Sequence, residues 1–481
     1  MKRFFRYIVG LVAMFSIAAC QDLLDQEPIG QVGLDEFFET EEDALLAVNA
    51  AYQPMQFEQT KGAWHMWWFF GDIPSDDATK GGENEGDQLG VYQFETFQAD
   101  GTNFNVVGLW SALYQGIYRA NNVLDNVPAI DMDEGMKNRI LGEARMLRAF
   151  YYWRLVRVFG GVPLVDHVLE PSEFKMARAS AEQIYGLIET DLQFAVDNLP
   201  LKSAYAAEDE GRATKGAAQA LLAKAYLYQN KWTEAKSMME ALFATNEYSL
   251  DPDFQHIFSK EGEHGVESIF EISHVPSPDG WGNANQGTTT PIFCGPRSEG
   301  GWGFNQAEQG LIDAFESGDP RKRYTITDQY EQPFGTGFYN KKYTYTWESG
   351  YSLPDIADAA SNGEVNYRVI RLADMYLHYA EACYHTSDEA KAQEYVNKVR
   401  ARVGLSDIAS TGTALLNDIY HERRVELALE GERFFDIVRQ GRGEALLGSK
   451  GFKSGVHELF PIPNTQIAIT GGLIIQNPGY N

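Results

Sequence analysis

Hydrophobic residues recur at helical spacing most clearly in the stretch 142–165. Successive steps of three or four residues place one apolar stripe along a helix, formed by Ile140, Ala144, Leu147, Tyr151, Leu155 and Val158. Met146, Phe150 and Trp153 add a second apolar face, which indicates a helix packed between neighbours. Glycines at 160 and 161 and Pro163 predict its end, because glycine accepts a left-handed cap and proline cannot continue a helix.

Four arginines share this predicted central helix: Arg145, Arg148, Arg154 and Arg157. Two apolar faces leave little of the helix exposed to water, and buried guanidinium groups are unfavourable unless they are paired. The sequence therefore predicts carboxylate partners for these arginines from elsewhere in the chain.

Three further stretches before residue 200 also show helical spacing. The first begins after Thr40, which is placed to cap it with Asp43 in the capping-box position, and Pro54 ends it. The second covers 106–124 and the third covers 184–196. Together with the central helix, they predict helical packing throughout this part of the chain.

A pattern of small and large residues then occurs twice, with 12 residues between the two leading alanines of each copy. The copies are Ala223, Tyr226, Ala235 and Met239, and Ala380, Cys383, Ala392 and Val396. This spacing is typical of tetratricopeptide helix pairs. We therefore predict a mostly α fold, a tetratricopeptide-like right-handed superhelix of helix pairs with a loop-rich irregular layer and a few short strands.

The residue pattern and composition change between the two copies. Residues 267–275 alternate like a strand, and the stretch that follows is dense in glycine, proline and aromatic residues. A long irregular region inside a compact protein is usually functional. We predict an N-terminal part over 33–260 and a C-terminal part over 261–481, with a loop-rich insertion at 270–365, packed as one compact unit.

The first 32 residues are predicted to direct export and anchoring. Basic residues precede an apolar run of 13 residues, which is too short to span a bilayer, so 1–19 is predicted to be a signal peptide. Small residues before Cys20 fit a bacterial lipobox, which predicts lipidation of Cys20 and a tether over 20–32. The membrane contact expected is the lipid anchor alone.

Charge and cysteine content narrow the function classes. Lys and Arg number 40 and Asp and Glu number 68, which gives a formal net charge of −28. This balance argues against nucleic-acid binding and against docking on anionic lipid surfaces. Cys294 and Cys383 remain after processing, so no disulfide framework is expected; two separate buried thiols are favoured over one bridge.

Aromatic residues supply the candidate binding chemistry. Sugar rings stack their C–H faces on aromatic rings, and Asp, Asn and Arg side chains bond their hydroxyl groups. Two regions, one near residue 64 and one in the irregular insertion, combine these residue types; the alternative is that the rings only fill the core or pack between loops. The predicted ligand-binding residues are Trp64, Trp67, Asp72, Asp76, Asp77, Trp281, Asn283, Arg297, Trp302, Asn305 and Trp347.

No catalytic residue, metal site or cofactor is predicted. Glu422, Glu426 and Glu430 lie on one helical side, but the arginines between them favour structural ion pairs over the carboxylate pair of a glycosidase. The histidines show no metal-ligand spacing. Calcium is the alternative use of the clustered loop carboxylates, which are those of Asp76, Asp77 and Asp87.

Several motifs, found in order, resemble the SusD/RagB-like outer-membrane nutrient-binding lipoproteins of Bacteroidetes. They include the lipobox, the central helix ending in L-V-R-x-F-G-G-V-P-L, Trp110-Ser111-x-x-Tyr114, Glu422-Arg423-Arg424-x-Glu426-Leu427, and the closing Gln476-Asn477-Pro478-Gly479-Tyr480. The resemblance covers nearly the whole chain.

The resemblance implies a non-catalytic protein, lipid-anchored in the outer membrane and facing the exterior, that binds a nutrient, most often a glycan, on its loop-rich face. Its implied partner is a SusC-like TonB-dependent transporter, over which it sits as a lid. A peptide-binding lid of the same transporter type is the first alternative. A surface glycoside hydrolase is a less favoured one, and a pure helical-repeat scaffold would leave the tryptophan-bearing loops without a role.

Overall fold

The computed structural model describes residues 37–275, 286–343 and 363–480. Helix accounts for 53% and strand for 7% of the structure. The helices are α1 (Glu41–Tyr52), α2 (Trp67–Gly71), α3 (Leu89–Glu95), α4 (Phe104–Asn126), α5 (Glu134–Phe159), α6 (Ala181–Asn198), α7 (Lys215–Tyr228), α8 (Trp232–Ala244), α9 (Thr290–Cys294), α10 (Gln309–Ile312), α11 (Arg321–Thr325), α12 (Leu372–His385), α13 (Glu389–Arg402), α14 (Gly412–Glu426), α15 (Arg433–Arg439), α16 (Gly443–Leu447) and α17 (Asn464–Ile469). The strands are β1 (Gln59–Thr60), β2 (Ala63–Trp64), β3 (Ala78–Gly81), β4 (Ser268–Ile272), β5 (Phe304–Ala307) and β6 (Tyr367–Arg371).

The longer helices form a continuous stack of pairs. Helix α4 packs against α1 and α5, and each helix from α5 to α8 packs against the next. Helix α8 contacts α12, which packs against α13 and α14. The leading alanines of both predicted repeat copies are buried, among them Ala235 and Ala392, which are both 0% exposed. The mostly α, tetratricopeptide-like fold is confirmed.

Local signals set the helix ends as the sequence predicts. The Thr40 side chain accepts from the backbone N–H of Asp43, and the Asp43 carboxylate accepts from that of Thr40, which completes the capping box of α1. Gly160, with a φ of 71°, follows α5 and donates its N–H to the Val156 carbonyl. Helix α5 therefore ends at the predicted glycine.

Three of the four α5 arginines that were predicted to need carboxylate partners form ion pairs. Asp191 of α6 binds Arg148 at 2.7 Å and Arg145 at 3.1 Å, and Glu432 binds Arg157 at 3.0 Å. The prediction is wrong for Arg154: its guanidinium lies 4.6 Å from the ring centroids of both Trp67 and Phe150, with no carboxylate within ion-pair distance among the residues that the structure describes.

Helix α14 contributes its acidic side to a buried group of charges that we call the ion-pair cluster. Its members are Arg321, Lys342, Arg371, Arg400, Arg402, Asp319, Glu267, Glu422, Glu426 and Glu430. Glu426 alone accepts from three arginines, and Glu422 and Glu430 are each bonded to two cations. The prediction that these glutamates form structural ion pairs is confirmed.

The described strands form short antiparallel pairs, of which β1–β2 is a local hairpin and the others join distant parts of the chain. Strand β1 pairs with β2, β3 with β5, and β4 with β6. The β3–β5 register places Gly81 opposite Phe304, so the loop after β3 lies beside the segment that precedes β5.

Cys294 and Cys383 are both free and buried. Among the described ranges, no helix combines the length and apolar character needed to cross a membrane.

Candidate ligand-binding surface

Three rings from separate elements meet in what we call the aromatic cluster: Trp64, Phe293 and Trp302. The ring centroids of Trp64 and Phe293 are 5.2 Å apart at 68°, and those of Phe293 and Trp302 are 4.6 Å apart at 64°. Phe293 is fully buried, whereas both tryptophans are half-buried. The buried phenylalanine thus supports two tryptophans that keep part of their surface in solvent.

The backbone around both tryptophans is fixed by hydrogen bonds. The Trp64 carbonyl accepts from Asn105 Nδ2 at 2.6 Å, which joins the β1–β2 hairpin to the start of α4. The Trp302 N–H donates to the Ile292 carbonyl at 2.7 Å. A Cβ on Gly301 would lie 2.1 Å from the Gly295 carbonyl oxygen, so this close approach of two chain segments requires glycine.

A polar edge lies beside the aromatic cluster. Arg297, half-buried, donates from Nη2 to Asp87 Oδ2 at 2.8 Å. Lys80 Nζ donates to the backbone carbonyls of Asp87 and Asn84 at 2.6 and 2.8 Å and lies 5.3 Å from the ring centroid of Phe304. Burial lowers the pKa of Lys80 to about 8 despite the nearby carboxylates. The edge therefore carries charged hydrogen-bonding groups next to flat apolar rings.

Trp67 was predicted to contact ligand, and this prediction is wrong. Its side chain is 6% exposed and stacks on Phe435 of α15, with centroids 5.0 Å apart and planes at 12°. The guanidinium groups of Arg154 and Arg157 lie 4.6 and 4.8 Å from its ring centroid. Because protein groups cover this ring, it belongs to the contact between α2, α5 and α15 and offers no platform.

Asp72 and Asn305 are also buried, contrary to their predicted role. Asp72 accepts from the Gly431 N–H at 2.8 Å and from Asn305 Nδ2 at 3.2 Å, and both side chains are 0% exposed. Burial raises the pKa of Asp72 to about 7, against the lowering effect of these two hydrogen bonds. Both residues hold loops together inside the protein.

Asp76 and Asp77 bind arginines of the C-terminal helices. Asp76 accepts from Arg433 Nε and Nη2 at 2.7 and 2.9 Å, and Asp77 accepts from Arg424 Nε at 2.6 Å. These oxygens join the loop after α2 to α14 and α15. Asp77 is 0% exposed, so its predicted role in ligand binding is wrong, whereas Asp76 keeps part of its surface exposed and its role stays a prediction. No set of three or more candidate metal-ligating side chains forms in the described part of the chain.

Four predicted residues, Cys20, Trp281, Asn283 and Trp347, lie outside the described residues. The backbone that flanks 276–285 is described: the Val275 N–H donates to the Gln286 carbonyl at 2.9 Å. Thr288 forms a β-bridge with Gly363, two residues before α9, the helix that carries Phe293. The segments 276–285 and 344–362 therefore each have a described end close in sequence or in pairing to α9.

Phe293 and the contacts that support it were not predicted from the sequence. Glu58 accepts from the Thr288 and Thr290 hydroxyls at 2.5 and 2.9 Å and from the Thr289 N–H at 2.5 Å, which fixes the start of α9. Three consecutive threonines before a proline were the available signal for a capped short helix. A five-residue helix is too short to show periodicity, so the burial of Phe293 could not be read from spacing.

A rigid frame of helix pairs that carries half-buried tryptophans and charged groups on its loop layer has the architecture of a binding protein. Two family profiles match the chain: "SusD family" over 327–480, and "Starch-binding associating with outer membrane" over 44–227. The chain belongs to the SusD family.

Relatives match along nearly their whole lengths. "SusD-like protein P2" of Formosa agariphila is 28% identical, covering 98% of this chain and 99% of the relative. A solved structure titled "Laminarin binding SusD-like protein" is 34% identical, with a TM-score of 0.82 over 92% of this chain and 100% of the other. Surface glycan-binding protein A from Bacteroides thetaiotaomicron, in complex with laminarihexaose, is 26% identical, with a TM-score of 0.81 over 91% and 99%.

Proposed function

We propose that this chain is a cell-surface glycan-binding lipoprotein, and that its ligands are oligosaccharides of the β-glucan type that laminarin represents. The observation that carries the proposal is the aromatic cluster, in which buried Phe293 supports two half-buried tryptophans beside a charged edge. The names of two similar structures, which bind laminarin and laminarihexaose, support the choice of ligand.

Recognition combines stacking of sugar rings on tryptophan with hydrogen bonds to the sugar hydroxyl groups. Trp64 and Trp302 supply apolar faces for the C–H surface of sugar rings, and each such contact stabilises by about 0.5–1.5 kcal/mol. Arg297 and Asp87 lie where they can bond hydroxyl groups at the edge of a ring. One sugar would be held weakly, whereas an oligomer that contacts several groups at once is held more tightly.

Trp281, Asn283 and Trp347 stay predicted contributors to the same surface. The flanks of 276–285 meet at Val275 and Gln286, and Gly363, which follows 344–362, pairs with Thr288 near α9. These described flanks lie close to α9, the helix that carries Phe293.

We propose further that lipidated Cys20 and a tether over 20–32 hold the protein at the outer membrane, facing outward, where it delivers glycan to a SusC-like TonB-dependent transporter. The family profile described as associating with the outer membrane supports this location. In this arrangement the helical frame contacts the transporter and the loop layer recognises the cargo without cleaving it.

Affinity electrophoresis in gels that contain laminarin tests the proposal. The parent protein should be retarded, and Trp64→Ala and Trp302→Ala should each weaken binding by about 2- to 10-fold, the equivalent of one stacking contact. Trp232→Ala is the matched control: this tryptophan is also half-buried, but it stacks on His385 in the helical frame, with centroids 4.0 Å apart.

Two results would contradict the proposal at different levels. If laminarin and other polysaccharides leave the parent protein unretarded, glycan binding is wrong. If the parent is retarded but both cluster variants behave like Trp232→Ala, the function stands and the assignment of the aromatic cluster is wrong.

A further inference from the structure

A buried lysine lies under an exposed loop at the charged edge of the aromatic cluster. Lys80 is 0% exposed, whereas the loop 82–88, which we call the Lys80 loop, has an exposed tip at 83–86. The Lys80 ammonium donates to the Asp87 carbonyl at 2.6 Å and to the Asn84 carbonyl at 2.8 Å. The loop therefore closes around a positive charge that the chain itself supplies.

Aromatic rings enclose the same ammonium. The ring centroids of Phe304, Phe334 and Tyr92 lie 5.3, 5.4 and 5.9 Å from Lys80 Nζ. A desolvated ammonium is attracted to the faces of aromatic rings, so these contacts favour the charged lysine in its buried position. Gln88, at the end of the loop, has a φ of 56°, a left-handed conformation that is unfavourable for a residue with a side chain. The loop therefore depends on its contacts to keep its shape.

The Lys80 loop is bonded to the segment beside the aromatic cluster. The Gly82 N–H donates to the Gly303 carbonyl at 2.7 Å, and Asp87 Oδ2 accepts from Arg297 Nη2 at 2.8 Å. The same Asp87 oxygen accepts from the Glu83 N–H at 2.9 Å. Asp87 and Arg297 are the groups proposed above to bond sugar hydroxyls, so their orientation depends on the shape of this loop.

We propose that Lys80 is a positioning residue for glycan binding: its ammonium holds the Lys80 loop so that Asp87 and Arg297 present their hydrogen-bonding groups to a sugar. This role rests on the proposed function and adds to it a buried residue that the ligand does not touch. Without the ammonium, two loop carbonyls lose their charged donor, which is unfavourable for the closed loop. The loop then opens, and the Arg297–Asp87 pair loses its fixed orientation.

Calorimetric titration with laminarihexaose tests this role. Lys80→Met keeps most of the apolar stem and removes the ammonium, so it should weaken binding by about tenfold, the equivalent of one charge-assisted hydrogen bond. Lys202→Met is the matched control. Lys202 Nζ also donates to three backbone carbonyls, but these lie at and just before the start of β4, so this variant should bind like the parent.

Cleavage by a glutamyl endopeptidase measures the loop directly and needs no ligand. Glu83 and Glu85 stand on the exposed tip of the Lys80 loop. Proteolysis of a native loop follows the population of its open form, so cleavage after these residues should be about tenfold faster in Lys80→Met than in the parent. Lys202→Met should be cleaved there at the parent's rate.

The pH profile of binding separates positioning from a general loss of structure. Burial lowers the pKa of Lys80 to about 8, so the parent's affinity should fall as the pH rises from about 7 to about 9.5, and Lys80→Met should show no such fall. Carboxylates and arginine ordinarily titrate outside this range, and burial and Glu85 raise the pKa of Tyr92. The charged and titratable groups around the ammonium are Asp87, Glu85, Glu95, Arg297 and Tyr92.

The outcomes separate this role from the proposed function. If Lys80→Met binds laminarihexaose like the parent, is cleaved like the parent, or loses no more affinity than Lys202→Met, the role of Lys80 is overturned and glycan binding stands. The parent's own pH profile decides the case if Lys80→Met does not fold: an affinity that is unchanged from pH 7 to 9.5 overturns the role. A parent that binds no glycan overturns both proposals.

Discussion

Replacing Glu426 with glutamine should test how the ion-pair cluster stabilises the fold. The Glu426 carboxylate is 0% exposed and accepts from Arg321 Nη1 at 2.9 Å, from Arg371 Nη1 and from Arg402 Nη2. Glutamine has nearly the same shape, but it carries no charge and turns an N–H₂ group toward at least one guanidinium. The ion-pair cluster contains five cations and five carboxylates, so the substitution leaves one excess positive charge in a buried site.

The expected loss follows from that unbalanced charge. Removing one partner of a buried ion pair typically costs about 3–5 kcal/mol, because the remaining charge stays desolvated without compensation. Three guanidinium groups share Glu426, so we expect the Glu426→Gln variant to fall at the upper end of this range. Whole proteins are stable by only about 5–15 kcal/mol, so the loss should be plain in a denaturation curve.

Urea unfolding followed by circular dichroism measures the change, and Glu394→Gln is the control. Glu394 forms ion pairs with Lys391 at 2.8 Å and Lys398 at 2.9 Å, but all three side chains are well exposed, so its loss should stay below about 1 kcal/mol. If the two variants lose the same stability, the ion-pair cluster is energetically neutral and the reasoning is refuted.

The same variant should change the acid dependence of stability. Burial alone would raise the pKa of Glu426, but Arg402, Arg371 and Arg321 outweigh it and hold that pKa well below its ordinary value. A lowered carboxyl pKa contributes stability above the unfolded-state value, about 4.3 for glutamate, and that contribution is lost as pH falls. The parent should therefore lose more stability below about pH 4 than Glu426→Gln does; parallel curves would contradict this.

Two further substitutions follow from buried contacts. Asp72→Asn should be at least as stable as the parent above pH 7. Burial raises the pKa of Asp72 to about 7, and a raised carboxyl pKa removes stability as pH rises from about 4 to 7. Melting temperatures measured between pH 5 and 8 check this, and a variant that melts below the parent at every pH would contradict it. Gly71→Ala should prevent normal folding, because the added Cβ would lie 1.8 Å from the Gly431 carbonyl oxygen. Gly186→Ala is the control: this position on α6 faces open space, so its free energy of unfolding should rise by about 0.5–1 kcal/mol. Equal urea midpoints for the two variants would refute this.

Helices with their own start and end signals were predictable from the sequence. Thr40 with Asp43 and Gly160 after α5 act within one or two turns, so the residues that decide the boundary stand next to it. Burial of the repeat alanines followed from spacing in the same way. The arginines next to Glu422, Glu426 and Glu430 correctly indicate ion pairing, but they do not identify the partners. The cations that bind these glutamates come from other segments: Arg321, Lys342, Arg371, Arg400 and Arg402.

The errors concern residues whose surroundings come from far along the chain. Trp67 stands in an aromatic-rich stretch, but the ring that covers it belongs to Phe435. Asp77 stands in a loop of polar residues, and its partner is Arg424 of α14. Local spacing carries no information about such contacts, so it predicts exposure for an aromatic or acidic loop residue even where a distant segment covers it.

The bonds that join Asp76 and Asp77 to α14 and α15 also limit which segments of the chain can be exchanged with those of a related protein. Arg424 and Asp77 are 347 positions apart, so a crossover between them would combine acids from one parent with bases from another. The flanks of 276–285, by contrast, meet at the Gln286 carbonyl, which accepts from the Val275 N–H and lies 3.2 Å from His274 Nδ1. We therefore expect a graft that replaces 276–285 to keep the fold, whereas a chimera that separates Asp77 from Arg424 should lose stability.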